Sequence, residues 1–258
     1  MEHDDQTIGS ICTRREALVL AARAGMFLVA GAGATQLVRA SRVWQAKDQV
    51  HLVASPALTE GPFFVDEKLN RSDLVSVTDR ASVKNGMPLE LNLRCLVFAG
   101  GKTSALKGAT VDLWSADVVG AYSDEASPMN HENTSGQKWL RGFQVTDANG
   151  EVHFKTIVPG WYPGRCPHIH FKVRKFSTSR QTTAEFTSQV FFREPDQARI
   201  YAAEPYKSHT SPETTNERDM VFSERLPDGT TAGSHMLLDL ARSARGNGMK
   251  SQFSILLT

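Results

Sequence analysis

Apolar and polar residues alternate in short runs from about residue 52 to the C-terminus. In "PLELNLRCLVFAGG" the side chains of Leu89, Leu91, Leu93, Cys95 and Val97 share one face, and a Gly-Gly pair ends the run. "GATVDLWSAD" reads as a second strand. "GFQVTDANGEVHFKTIVPG" has two alternating arms around Asp-Ala-Asn-Gly, the pattern of a hairpin. "HIHFKVRKF", "EFTSQVFFRE", "GSHMLLDLA" and "SQFSILLT" supply further strands, and "EPDQARIYAAEPY" has room for one short helix. No long amphipathic helix is expected after residue 50. Many short strands divided by Gly, Pro, Asn and Asp predict an all-β chain, a β-sandwich of mostly antiparallel strands. Two long irregular stretches interrupt it, residues 59–82 and 115–140. Loops of that length inside a domain are usually functional or disordered. The second carries Tyr122 and Trp139 near its ends.

Composition narrows the partners. Lys and Arg number 29 against 28 Asp and Glu, a formal net charge of +1. That balance gives no electrostatic reason to expect nucleic acid or a charged membrane surface. At 258 residues and 40% hydrophobic content, one all-β domain can bury a full core. Three cysteines, Cys12, Cys95 and Cys166, are too few for a disulfide framework. Cys95 alternates with leucines and reads as a core residue.

The N-terminus has a different pattern. Paired arginines, Arg14 and Arg15, precede a mildly apolar run, and Val38 and Ala40 sit where a cleavage site needs small residues. This resembles a twin-arginine export signal, although Ala17 stands where phenylalanine is common and Arg23 interrupts the run. The run is too short and broken for a permanent membrane span. The expected organisation is a signal over residues 1–40, a linker over 41–58 and a catalytic domain over 59–258. The expected location is the periplasm or the extracellular space.

The candidate chemistry sits in "WYPGRCPHIHFKV". Residues i and i+2 of a strand face the same way, so His168 and His170 share a face with backbones roughly 7 Å apart. Such a pair can converge on a metal, but alone it equally describes two half-exposed strand histidines. Tyr162 lies six residues before His168, between Pro159-Gly160 and Pro163-Gly164, turns that fix a side chain's direction. A phenolate oxygen together with imidazole suits ferric iron better than zinc. A trivalent cation would also deprotonate a phenol whose ordinary pKa is near 10. His131, His153, His209 and His235 lack such spacing.

The stretch "PGWYPGRCPHIHFKV" resembles the active-site segment of intradiol ring-cleavage dioxygenases. The resemblance runs from "TEGPFF" to "SQVFFREPD" and is nearest to the smaller, exported members. It implies one Fe(III) per chain, held by Tyr122 in "WSADVVGAYSDE", Tyr162, His168 and His170. It gives Tyr162, Arg165 and Gln189 catalytic roles. Tyr162 would be first a ligand and then a base, Arg165 a fixed cation and Gln189 a substrate-orienting group. Gly61 and Pro62 of "TEGPFF" would form one wall of the substrate pocket. The implied partners are a small aromatic diol and O2, and the implied product is a cis,cis-muconate-type diacid. The chain departs from the pattern in one place, since only five residues separate Tyr162 from His168. The particular catechol is therefore left open, as is homo-oligomerisation. Two rival readings remain at this point: a transthyretin-like binding module with an idle metal site, and a zinc hydrolase. The second lacks a general-base carboxylate within the histidine motif.

Overall fold

The computed structural model describes residues 53–209, 214–244 and 246–258. The export-signal stretch and most of the expected linker lie outside them. Among the described residues, ten strands form two five-stranded sheets. One holds β1 (Pro88–Ala99), β2 (Lys102–Ala105), β5 (Glu151–Ile157), β9 (Ala241–Arg242) and β10 (Met249–Leu257). The other runs in the order β4 (Arg141–Val145), β3 (Thr110–Ser115), β6 (His168–Phe176), β7 (Thr182–Phe192), β8 (Leu237–Leu238). Pairing is antiparallel except for β1 with β10 and β7 with β8. Helices are short: α1 (Ala81–Lys84) and α2 (Glu194–Tyr201), the latter inside the segment where one was expected. None among the described residues is long and apolar enough to cross a membrane.

The period of two explains the layers. Leu89, Leu91, Leu93 and Cys95 of β1 are buried, as are Val152 and Phe154 of β5. They meet Val111 and Leu113 of β3, Ile169, Phe171 and Val173 of β6, and Phe186 and Val190 of β7 in one core. Each large apolar side chain buried this way contributes about 1.5–3 kcal/mol. The alternation of β1 breaks at its end: Leu96 is buried and Val97 only partly so. There β1 changes neighbours, from β5 along residues 88–94 to β2 along 96–99.

The expected hairpin is corrected by the structure. The Asp-Ala-Asn-Gly turn forms, with Gly150 N donating to Asp147 O at 3.1 Å. Its two arms do not pair with each other. β4 pairs with β3 in one sheet, and β5 pairs with β1 in the other. Alternation shows that an arm has one buried face, not which sheet buries it. The turn instead docks onto β1: Cys95 N donates to Gly150 O at 2.8 Å. A Cβ at Gly150, whose φ is +77°, would sit 2.3 Å from Cys95 O. The packed body also begins before Thr59. Ser55 N bonds Leu256 O, Leu58 N bonds Thr187 O, and Leu58 is buried.

The opposite face of the second sheet carries the chemistry. His168, His170, Lys172 and Arg174 point there from β6. Residues 59–68 cross over them as a strap. Glu60 pairs with Lys172, and Asp66 pairs with Arg174 at 3.0 Å. The Lys172 ammonium also lies 4.2 Å from the centre of the Phe64 ring.

Candidate metal centre

Strand register builds the floor of the site. Trp114 of β3 lies opposite His170 of β6, which lies opposite Gln189 of β7. Trp114 stacks flat on the His170 ring, with centroids 4.9 Å apart and planes at 8°. Gly61 backs the same ring: its φ is +71°, and a Cβ there would lie 3.4 Å from His170 Cε1. The His170 Nδ1 is buried with no hydrogen-bond partner within the protein. Packing, rather than a bond at Nδ1, therefore orients this imidazole. His168 is held differently, by its Nδ1 on the Cys166 carbonyl at 2.6 Å. That bond places the proton on Nδ1 and turns the Nε2 lone pair into the site.

Two loops bring the tyrosines. Asp117 is fully buried and nucleates the first: its Oδ1 accepts from Val119 N and Ala121 N, both at 3.0 Å. Its Oδ2 accepts from Arg80 Nε at 2.8 Å and from Ser82 Oγ at 2.5 Å. Asn130 then mimics a neighbouring strand, accepting from Tyr122 N at 2.7 Å and donating to Tyr122 O at 2.9 Å. The buried Arg141 guanidinium links Ser123 O, at 2.6 Å, to the strap through Phe63 O, at 2.6 Å. Tyr162 comes from the Pro-Gly turn, which α2 supports: Tyr201 Oη donates to Pro159 O at 2.9 Å.

The four donors expected from the sequence do converge. His168 Nε2 lies 3.0 Å from His170 Nε2, 3.3 Å from Tyr122 Oη and 3.4 Å from Tyr162 Oη. Donors bound about 2.1 Å from one shared first-row ion stand at such separations. Among the described residues, no cluster of three or more His, Cys, Asp or Glu forms a rival centre. The oxygen donors here are therefore the phenols. Burial, and next the Arg165 cation, hold both histidines far below their usual range, so both are neutral donors. Burial raises both phenols above their ordinary value. A cation at the meeting point reverses that penalty. Two neutral imidazoles and two oxygens that need a strong positive charge to ionise are a donor set that fits ferric iron.

Arg165 and Gln189 also reach the site. Arg165 Nη1 is 3.4 Å from Tyr162 Oη, and its Nη2 donates to Gln189 Oε1 at 2.5 Å. Gln189 Nε2 donates to Thr59 O at 2.8 Å, so the glutamine faces the strap rather than solvent. Of the two expected wall residues, Gly61 touches the site through His170, whereas Pro62 is exposed. Phe63, which the sequence did not single out, covers Tyr122 with centroids 4.5 Å apart and meets Tyr162 edge-on at 5.8 Å. Trp114, Arg141 and Asp219 were also missed. Their partners lie far along the chain, and no local spacing announces them. Cys95 and Cys166 are both buried and free.

Residues 59–222 match the family described as "Dioxygenase". That is more than half of the chain, which belongs to the intradiol ring-cleavage dioxygenases, a family of oxidoreductases. An intradiol ring-cleavage dioxygenase from Tetranychus urticae has a similar structure, with a TM-score of 0.66 and 29% identity. The match covers 80% of this chain and 94% of that one. The dioxygenase domain of a dioxygenase–carbohydrate-binding protein fusion from Streptomyces sp. SirexAA-E aligns at TM-score 0.52 and 27% identity, covering 79% and 97%. The protocatechuate 3,4-dioxygenase beta chain of Burkholderia cepacia is 33% identical over 103 residues, 36% of this chain. The match spans only 42% of that relative's length.

Proposed function

We propose that this chain cleaves a catechol-type ring between its two hydroxyl-bearing carbons with O2, giving a cis,cis-muconate-type diacid. The observation that carries this reading is the convergence of Tyr122, Tyr162, His168 and His170 at the positions the family resemblance implies. These four would hold one ferric ion. Bound there, it would supply Lewis acidity and a route for the ring's electrons to O2. The chain's own groups do the rest. Tyr162 is half-buried on an open turn, and its Oη accepts a proton from a substrate hydroxyl. Arg165 stands beside that oxygen as a fixed cation for developing negative charge. Gln189, tied at both ends of its amide, presents a fixed dipole to the substrate. Phe63, Trp114 and the strap shut bulk water away from the ring. The names of the matched relatives support a catechol-type substrate.

Export belongs to the same proposal and rests on the paired arginines and the apolar run. A folded-protein route would let iron enter before the chain leaves the cytoplasm.

The test is direct. Protein loaded with ferric iron is expected to be wine-red from tyrosinate-to-iron charge transfer, with a band that shifts on adding catechol. It should consume O2 with at least one of catechol, protocatechuate and hydroxyquinol. Fractionation of expressing cells should find it outside the cytoplasm. A colourless protein that retains only zinc and consumes no O2 would overturn the enzymatic reading.

A further inference from the structure

Asp219 is fully buried in the loop that follows residue 215. Its carboxylate accepts four N–H groups, two on each oxygen. Oδ2 takes Arg165 Nε at 2.8 Å and the Cys166 main chain at 2.7 Å. Oδ1 takes Val221 N at 2.8 Å and Phe222 N at 3.0 Å. The last two bonds fix the carboxylate, and the first two pass that rigidity on. A planar guanidinium gripped at Nε has its remaining nitrogens aimed. Here they aim at Tyr162 Oη and Gln189 Oε1. The bond to Cys166 N steadies the residue whose carbonyl receives His168 Nδ1. One side chain thus bears on Arg165 directly and on Tyr162, Gln189 and His168 through one intermediary each.

We propose that Asp219 is a positioning residue, holding Arg165 in the orientation that ring cleavage uses. The proposal rests on the functional reading above for the role of Arg165, but not for the hold itself. Asparagine cannot replace it. An amide has one accepting oxygen, so two of the four N–H groups would face an NH2, and Arg165 would lose its charge partner.

The experiment has two arms. In the first, iron-loaded wild type, Asp219→Asn, Arg165→Lys and the double variant are compared for iron content, kcat and KM. Asp219→Asn is expected to bind iron as wild type does, while kcat falls about 10- to 100-fold. In the double variant the two losses should combine to less than their product, because Asp219 acts on the chemistry chiefly through the Arg165 guanidinium and only secondarily through Cys166 on His168. Losses that multiply in the double variant overturn the proposal. The second arm uses metal-free wild-type protein and needs no Asp219 variant to fold. The Arg165 Nε–H resonance, assigned by its disappearance in Arg165→Lys, should exchange slowly with solvent. Exchange as fast as that of an exposed arginine overturns the proposal. If iron-loaded wild type consumes no O2 with any catechol, the functional reading falls, and the Nε–H signal still decides whether Asp219 holds Arg165.

Discussion

Tyr122 and Tyr162 offer the same oxygen to the site, yet the chain grips them unequally. Tyr122 is buried, its main chain is clamped by Asn130, and Phe63 lies flat on its ring. Tyr162 is half-buried, and a Cβ built on neighbouring Gly164 would meet nothing within 4 Å. The expected consequence is a division of labour. Tyr162→Phe should keep its iron but lose substrate binding and turnover, by about 10- to 100-fold in kcat/KM. His170→Ala should lose the iron itself, read as metal content after gel filtration. Full activity in His170→Ala would refute the ligand assignment. At this scale the sequence was most legible where partners lie close along the chain. Arg165, His168 and His170 follow Tyr162 within eight residues. Asp219 and Phe63 were illegible because their partners are brought to them only by folding: Arg165 lies 54 positions from Asp219.

The two tyrosine-bearing loops meet through their phenol rings, whose centroids lie 5.9 Å apart, and closely through main chain. Gly160 N donates to Asp117 O at 3.0 Å, and a Cβ at Gly160 would sit 2.0 Å from Val118 O. From the other side, a Cβ at Gly120 would sit 2.2 Å from Trp161 O, and φ there is +85°. Gly120→Ala is therefore expected to push the Trp161–Tyr162 turn away from Tyr122 and to weaken the charge-transfer band. Destabilisation should be about 1–3 kcal/mol, from overpacking and from an alanine at positive φ. Thermal unfolding and the visible spectrum of one iron-loaded sample check both. If the band survives unchanged while stability falls, the contact is structural only. The strands themselves were legible from their period of two. The crossing from β4 to β5 was not, because each arm satisfies the same pattern whichever sheet receives it.

Across the whole molecule, chemistry and core occupy opposite faces of one sheet. The core side is dry enough to silence its thiols. Burial pushes Cys95 up to about 12 and raises Cys166 in the same direction, with Asp219 adding to the effect there. In the folded protein at pH 8, iodoacetamide should leave both unmodified, and peptide mapping should find both alkylated after unfolding. The sign for stability follows. The neutral Cys95 thiol is favoured by folding, so its contribution is intact below about pH 9 and is lost as pH rises towards about 12. The sandwich class was readable because alternation recurs along most of the domain. The partition of labour within β6 was readable for the same reason, since even positions carry His168 and His170 while odd positions carry Ile169 and Phe171. That partition makes β6 vulnerable to a change no point substitution imitates. A one-residue insertion ahead of His168 that shifted the register would trade the two sets: imidazoles into the apolar layer, isoleucine and phenylalanine into the reactive cleft. Fold and chemistry would fail in one event, so sequence drift along this strand can proceed by exchange of side chains but not by a change of length.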